Sequence, residues 1–189
     1  MTEITQEQYV ELSKEYGLEI ALIKAVEQVE SNGDGYLSNE DLKILFEGHI
    51  FSKLTNGKYD KSNLTISYLK WVRTFYKGGI AEYDRLEEAY KLDALQALKS
   101  ASWGTFQIMG FNYEVCGYSS VVDFVQDVRI GLYYCLKHFF TYCTNRKLID
   151  KLKKKDWRGF AKSYNGLGYE KNSYHTKLEN AYKKYKHAI

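Results

Sequence analysis

The sequence predicts a mainly α-helical protein with one small β element near residues 44–60. Apolar residues recur at helical spacing along most of the chain, which is the primary sign of amphipathic helices. The 189 residues include no proline, so no helix is interrupted in that way. The length suits one hydrophobic core, and no linker or internal repeat divides the chain. We therefore expect a single domain over residues 1–189.

The N-terminal part of the chain predicts two helices. Thr5 is a typical helix N-cap residue, and Gly17 is placed to end the first helix. The apolar stripe of the second helix consists of Leu18, Leu22, Ala25, Val26 and Val29. A cluster of turn residues at 32–35 ends this stripe.

The middle of the chain predicts the β element and a further helix. Residues 44–51 are short, apolar and bounded by turns. As a strand, they would place Glu47 and His49 on the same face. Residues 63–77 fit a strand or a helix equally well, whereas residues 80–100 are rich in strong helix formers.

The C-terminal third predicts three helices. Residues 121–143 carry apolar side chains at helical spacing and predict one long helix. Asp156 is placed to cap the next helix, which ends at the turn residues 165–168. A last helix runs through residues 174–185.

Composition and charge exclude several classes of function. Hydrophobic residues make up 44% and charged residues 27%, as in soluble globular proteins. No apolar run approaches the roughly 20 residues of a membrane span, and residues 1–5 lack the pattern of a secretion signal. Lysine runs at 151–155 and 183–186 have no accompanying nucleic-acid motif. We expect no membrane insertion and no nucleic-acid partner, although the C-terminal run is a candidate for attracting an anionic polymer.

The three cysteines, Cys116, Cys135 and Cys143, match neither a disulfide framework nor a zinc site. Their number is odd, and they lack paired metal-ligand spacing. Buried thiols in a protein made in a reducing compartment are the simplest interpretation. We expect no metal and no organic cofactor.

Glu30 is the first candidate for chemistry. It lies at the shoulder of the apolar stripe of the second helix and at the C-terminal end of that helix. Partial burial and the negative end of the helix dipole both raise the pKa of a carboxyl group. A carboxyl group that stays protonated near neutral pH is what general acid catalysis requires.

A calcium loop is the alternative interpretation of the same segment. Six residues fall at positions of an EF-hand loop, namely Glu30, Asn32, Asp34, Gly35, Leu37 and Asp41. The first ligand is normally Asp and the last is normally Glu, and this chain has the reverse at both ends. No second EF-hand is present, so the calcium-binding module stays the weaker alternative.

The stretch from Ser102 to Gly110 is the second candidate region. It contains Gln107 among apolar residues, and a buried glutamine needs hydrogen-bond partners, which backbone or the amide and hydroxyl groups of a glycan would supply. Trp103 offers an apolar plate on which a sugar ring can lie.

Five segments together resemble the N-acetylmuramidase family of phage endolysins and, more distantly, goose-type lysozymes and soluble lytic transglycosylases. The segments are Val26–Ser31, Leu45–Phe51, Tyr83–Leu86, Ser102–Asn112 and Tyr164–Gly166. The resemblance spans residues 18–185 and implies a lysozyme-like fold acting on bacterial peptidoglycan glycan strands. Each segment is weak alone, and their common order makes the resemblance specific.

The resemblance implies a role for each matching residue. Glu30 would be the catalytic acid, and Ser31 would hydrogen-bond to backbone or substrate. Gln107 and the backbone around Ile108 would hold the N-acetyl group of a sugar. Tyr164 would orient Glu30, and Asn165 would line the cleft. We also count Ser102, Trp103 and His49 among the residues that bind substrate.

Glu47 is the best second carboxylate, because it could activate a water or stabilise an oxocarbenium-like transition state. A purely structural Glu47, bonded to His49 or Arg85, is the alternative, since distant relatives use a single glutamate. The expected reaction is hydrolysis of the β-1,4 bond between N-acetylmuramic acid and N-acetylglucosamine. A lytic transglycosylase, which forms a 1,6-anhydro product, is the second possibility.

The route to the substrate follows from the resemblance. Without a signal peptide, the protein would stay in the host cytoplasm until the membrane is breached, as phage endolysins do, or would be delivered by a secretion machine. We expect a monomer.

Overall fold

The computed structural model describes residues 4–30, 35–37 and 41–187, without the side chains of Glu30 and Leu167. This part of the chain forms ten α-helices and one three-stranded sheet. The chain divides into two compact units, one made of residues 1–33 with 132–189 and the other of residues 34–131. No helix of the described residues is both long enough and apolar enough to cross a membrane.

The first unit is entirely helical in its described part. Its helices are α1 (Gln6–Tyr16), α2 (Ile20–Glu30), α7 (Leu132–Asn145), α8 (Ile149–Lys153), α9 (Trp157–Asn165) and α10 (Tyr174–His187). Thr5 caps α1 in a capping box with Gln8, and Gly17 ends it in the left-handed conformation, as the sequence predicts. Asp156 caps α9 by accepting the backbone N–H of Gly159.

The apolar stripe of α2 is the core of the first unit. Ala25 and Val26 are fully buried, and α2 packs along α10, where Leu178 is also fully buried. At the start of α2, the Glu19 carboxylate accepts hydrogen bonds from three side chains, Lys155, Tyr182 and Lys186. These bonds hold the pKa of Glu19 at about 2 and tie α2 to α10 and to the α8–α9 connection.

The second unit combines a small sheet with four helices. The strands β1 (Ile44–Phe46), β2 (Ala101–Trp103) and β3 (Ile108–Met109) are antiparallel in that order. Ile44 pairs with Trp103, and Ser102 pairs with Met109. The helices are α3 (Gly48–Leu54), α4 (Ala81–Leu92), α5 (Ala94–Lys99) and α6 (Val121–Ile130).

The predicted strand over residues 44–51 is wrong beyond Phe46, because α3 begins at Gly48. A Cβ atom at Gly48 would lie 2.6 Å from the carbonyl oxygen of Ile66 and closer still to the ring of Tyr68. Glycine therefore lets the chain turn tightly against the 66–68 segment and enter a helix. Glu47 becomes the N-cap position of α3.

Both long predicted helices are divided in two. Asp93 has an extended backbone between α4 and α5, and its carboxylate caps α5 by accepting the N–H of Gln96 at 3.1 Å. Gly131 has an extended backbone between α6 and α7, which breaks the helical hydrogen bonds there. The ambiguous residues 63–77 form turns and one short 3-10 helix at Arg73–Phe75.

Candidate active site

Glu30 is the last residue of α2, as the sequence predicts. The residues one turn before it are in the core, since Val26 is fully buried and Val29 nearly so. At this end of the helix the last carbonyl groups lack intrahelical partners, which makes the local potential negative. Ser31, the neighbouring predicted site residue, lies outside the described residues.

Glu27 is a second carboxyl group on α2. It lies three residues before Glu30, and Tyr9 donates a hydrogen bond from its hydroxyl to the Glu27 carboxylate. The ammonium group of Lys24 lies 4.7 Å from the centre of the Tyr9 ring. Burial raises the pKa of Glu27, and the Tyr9 hydrogen bond opposes that rise.

Tyr164 and Asn165 occupy the last turn of α9 in the same unit as Glu30. The Tyr164 ring stacks on Phe160 and meets Phe139 edge to face, with ring centres 5.7 and 5.1 Å apart. These contacts fix the direction of the Tyr164 side chain. The buried Nδ2 of Asn165 has no hydrogen-bond acceptor among the described residues, so its donor capacity is left unsatisfied there.

Glu47 has two polar neighbours in the second unit. Tyr76 donates a hydrogen bond from its hydroxyl to Oε2 of Glu47, and Nδ1 of His49 lies 3.2 Å from the same oxygen. The imidazole N–H is not aligned for a hydrogen bond, so the His49 contact is one of proximity alone. Burial and the neighbouring Glu47 carboxylate raise the pKa of Tyr76 well above its usual value, so the phenol stays a donor.

A buried ion pair bonds to the residues next to Glu47 and Tyr76 in the chain. Glu82 and Arg85 of α4 are both fully buried, with Oε2 of Glu82 2.8 Å from Nη1 of Arg85. Glu82 also accepts the backbone N–H groups of Phe46, Lys77 and Gly78. Burial alone would raise the pKa of Glu82, but these N–H groups and Arg85 outweigh it and lower the pKa.

The ion pair therefore fixes both sides of the Glu47–Tyr76 contact. Phe46 immediately precedes Glu47, and Lys77 immediately follows Tyr76. Arg85 donates hydrogen bonds to Glu82 and to the carbonyl oxygen of Phe46. The side-chain neighbours of Glu47 are therefore Tyr76 and His49. Of the two structural partners that the sequence suggested for Glu47, His49 is a neighbour and no contact with Arg85 is found.

The polar groups of the Ser102–Gly110 stretch bond within the protein. Gln107 accepts a hydrogen bond from Ser102 at 2.9 Å and donates to the carbonyl oxygens of Lys43 and Gly104 at 2.9 and 2.8 Å. Both amide protons are used within the protein, so the side chain has no unpaired N–H group to donate to a sugar. Gln107 has the left-handed φ of 48°, and its hydrogen bonds stabilise that turn.

Trp103 is a core residue rather than a sugar plate. It is only 3% exposed, and its indole N–H donates to the carbonyl oxygen of Leu98 at 3.0 Å. Ile108 lies opposite Trp103 in the sheet and is also buried. The apolar residues of this stretch thus pack, as their composition alone allowed.

The EF-hand alternative does not fit the residues that follow the loop. An EF-hand requires a helix after its last ligand. Here Leu42 pairs with Tyr36 in an antiparallel bridge, and Ile44–Phe46 is a strand. Several of the loop residues lie outside the described part of the chain. Within the described part, no three His, Cys, Asp or Glu residues group as a metal site.

The predicted site residues therefore divide between the units. Glu30, Tyr164 and Asn165 belong to the first, whereas Glu47, His49, Ser102, Trp103, Gln107 and Ile108 belong to the second. Tyr76 and Glu82 were missed. One signal for Glu82 is visible in the sequence, because a glutamate shortly after Gly78-Gly79 stands in the first turn of a helix, where exposed N–H groups attract a carboxylate.

Comparisons with known proteins identify the family. A family model of N-acetylmuramidases matches residues 19–186. The crystal structure of a Burkholderia AP3 phage endolysin is similar, with a TM-score of 0.89 and 32% sequence identity over 98% of this chain and 72% of that chain. No curated protein sequence gives a match. The lysozyme-like, mainly α fold is thereby confirmed. The chain belongs to the N-acetylmuramidase family and is a glycoside hydrolase that acts on peptidoglycan.

Proposed function

We propose that this chain hydrolyses the β-1,4 bond between N-acetylmuramic acid and N-acetylglucosamine, with Glu30 as the general acid. The observation that carries the proposal is the position of Glu30, at the C-terminal end of a helix whose apolar face forms a core. The helix dipole disfavours an anion there and so favours the protonated acid. A protonated carboxyl group can transfer its proton to the glycosidic oxygen as the bond breaks.

Glu47 is the second carboxylate of the proposed reaction. The Tyr76 hydroxyl and the His49 imidazole both lie against one of its oxygens, which restricts its orientation. A carboxylate held in this way suits the activation of a water or the stabilisation of positive charge on the sugar. A second carboxylate favours hydrolysis over transglycosylation, in which a hydroxyl group of the muramyl residue replaces the water.

Residues near the end of α9 would bind the sugar and position the acid. The unsatisfied Nδ2 of Asn165 suits the carbonyl oxygen or a hydroxyl group of the glycan. Tyr164, fixed by its aromatic neighbours, would orient Glu30, and Ser31 would bond to backbone or substrate. Ile108 would contribute backbone to the N-acetyl group.

Gln107 and Ser102 take a different role in this proposal. Their mutual hydrogen bond and the bonds of Gln107 to Lys43 and Gly104 hold the β2–β3 turn. They would hold in place the sheet that precedes Glu47, and Trp103 would do so as a core residue.

Replacing Glu30 by glutamine tests the proposal, because glutamine keeps the shape of the side chain but cannot supply the proton. We expect turnover of purified peptidoglycan to fall about 1,000-fold, within the range of general acid catalysis. Two matched controls are available, Glu27→Gln on the same helix and Glu88→Gln on the exposed face of α4. Both should keep turnover within about threefold of the unaltered chain. Full activity of Glu30→Gln, or loss of activity only in Glu27→Gln, would refute the assignment.

A further inference from the structure

Residues 53–77 carry an excess of positive charge. They include one aspartate and six cations, namely Lys53, Lys58, Lys61, Lys70, Arg73 and Lys77, a net charge of +5 in a chain whose total is +3. Asp60 accepts hydrogen bonds from Ser52 and Ser67 and neutralises none of the cations. None of the six forms an ion pair with a carboxylate of the described residues, so the positive charge of this segment is open to a ligand.

The C-terminal lysines differ in this respect. Lys186 pairs with Glu19, and Lys183 pairs with Glu179, both at 2.7 Å. Lys184 donates to the side-chain oxygen of Gln28. Two of the three lysines at 183–186 therefore already have carboxylate partners, which weakens the attraction that the sequence suggested for them.

Two large apolar side chains are exposed next to those cations of residues 53–77 that have no carboxylate partner. Leu69 is 82% exposed and Trp71 is 60% exposed, on either side of Lys70. Leu69 also lines a groove of about 500 Å³, together with His49, Lys53 and Asn56. Solvent-exposed apolar residues grouped in this way mark a binding surface more often than isolated ones do. We call Lys53, Leu69, Lys70, Trp71 and Arg73 the Trp71 surface.

The Trp71 surface is continuous with Glu47. The Trp71 and Tyr76 rings meet edge to face with centres 6.3 Å apart, and Tyr76 donates its hydroxyl proton to Glu47. The groove is lined by His49, whose Nδ1 lies 3.2 Å from the same carboxylate. A polymer that passes Glu47 would therefore also meet this surface.

We propose that the Trp71 surface binds the peptidoglycan strand beyond the bond that is cleaved, an inference that rests on the proposed function. The face of Trp71 would take the apolar face of a sugar ring, as aromatic plates with a polar edge do. Lys53, Lys70 and Arg73 would attract the carboxylates of the peptides attached to muramic acid. The surface holds the polymer and takes no part in bond cleavage.

Sedimentation with purified peptidoglycan tests binding apart from catalysis. The full chain with Glu30→Gln serves as the background, and Trp71→Ala or the pair Lys70→Glu and Arg73→Glu is added. We expect Trp71→Ala to weaken binding at least about fivefold, as loss of an aromatic anchor does. The charge reversal should weaken it by about tenfold. The pair Lys183→Glu and Lys184→Glu is the matched control and should change binding by less than about twofold.

Chitin, an uncharged polymer of N-acetylglucosamine, separates the contribution of the Trp71 ring from that of the positive charges. Trp71→Ala should weaken sedimentation with chitin and with peptidoglycan, whereas the charge reversal should affect peptidoglycan alone. Unchanged binding in both variants, or an equal loss in the C-terminal control, would overturn the inference. Lysis of peptidoglycan by the Glu30→Gln background would count against the proposed acid and not against this surface. The side chains of Lys70, Trp71, Arg73, Lys183 and Lys184 are exposed, so replacing them should leave the far-ultraviolet circular dichroism of the background variant unchanged.

Discussion

The Glu47 carboxylate receives its two polar neighbours from separate segments of the second unit. His49 comes from the first turn of α3, and Tyr76 follows the short 3-10 helix. Glu47 and His49 were predicted to be neighbours on one strand, whereas they are neighbours at the start of α3. Tyr76 has no local pattern that links it to a residue 29 positions earlier, so only the fold reveals it.

Tyr76→Phe tests whether the hydroxyl group positions Glu47. We expect kcat to fall about tenfold while KM changes little, because a hydrogen bond to a charged group contributes roughly 1.5–3 kcal/mol. Tyr113→Phe is the matched control, since Tyr113 also donates to a glutamate, Glu114, at 2.8 Å. An unaltered kcat in Tyr76→Phe, or an equal loss in Tyr113→Phe, would rule out this role of the Tyr76 hydroxyl. Steady-state rates on solubilised peptidoglycan supply both parameters.

Among the helices, ends that carry a local capping residue were predictable, whereas breaks within a long helical stretch were not. The capped ends of α1 and α9 were predicted because Thr5, Gly17 and Asp156 act through their own local backbone. The break at Asp93 was missed, since the segment around it is rich in helix formers and an aspartate can also sit inside a helix. The helix at Gly48 depends on contacts with residues 66–68, which no local pattern shows.

The Glu82–Arg85 pair joins α4 to β1 and to residues 65–68 and 77–78, because Arg85 also bonds the Thr65 carbonyl and the Tyr68 hydroxyl. Removing one member leaves a buried charge without a partner, which typically costs about 3–5 kcal/mol. We expect Arg85→Ala to lower the free energy of unfolding by about 3 kcal/mol in denaturant titrations.

Lys91→Ala is the control for that measurement, because it breaks an ion pair on the same helix. Lys91 and Glu87 are 69% and 66% exposed, so solvent screens their attraction. We expect no change in the free energy of unfolding beyond the error of the measurement. Similar losses in the two variants would show that burial does not distinguish these pairs.

Glu19 links α2 to α10, and its lowered pKa makes that link dependent on pH. A carboxylate whose pKa is about 2 in the folded protein and near 4.5 when unfolded stabilises the fold above pH 4.5. That contribution is lost as the pH falls toward 2. Because the Glu19 side chain is 38% exposed, we discount its contribution to about 1 kcal/mol.

Glu19→Gln should therefore lower the melting temperature at neutral pH and have little effect near pH 2. Thermal melts followed by circular dichroism at several pH values give this difference. Glu179→Gln, which removes an exposed pair within α10, should produce a much smaller change at every pH. A constant effect of Glu19→Gln across the pH range would disprove the link.

Across the whole molecule, charge is distributed more unevenly than the total of +3 suggests. Residues 53–77 hold a net +5, so the remainder of the chain is slightly negative. The lysines near the C-terminus were predicted to attract an anionic polymer because they lie close together in the sequence. Which lysines lack carboxylate partners depends on the fold.

Added salt should weaken binding to peptidoglycan, because screening reduces attraction beyond about 10 Å at 0.1 M salt. We expect the apparent Kd to rise steeply with sodium chloride for the unaltered chain. In the Lys70→Glu and Arg73→Glu variant the rise should be much shallower, whereas the Lys183→Glu and Lys184→Glu variant should follow the unaltered chain. Equal salt dependence in all three would mean that the free cations do not guide binding.

In the proposed reaction, water attacks C1 of the muramyl residue while Glu30 protonates the leaving oxygen. Digestion of purified peptidoglycan in water enriched in the heavy oxygen isotope tests both steps. Mass spectrometry of the fragments should find one heavy oxygen on the new reducing end of N-acetylmuramic acid for each bond cleaved, and the Glu30→Gln variant should produce almost none of these fragments. Anhydro-muramyl fragments without the isotope, reducing ends on N-acetylglucosamine, or full yield from Glu30→Gln would contradict this reaction.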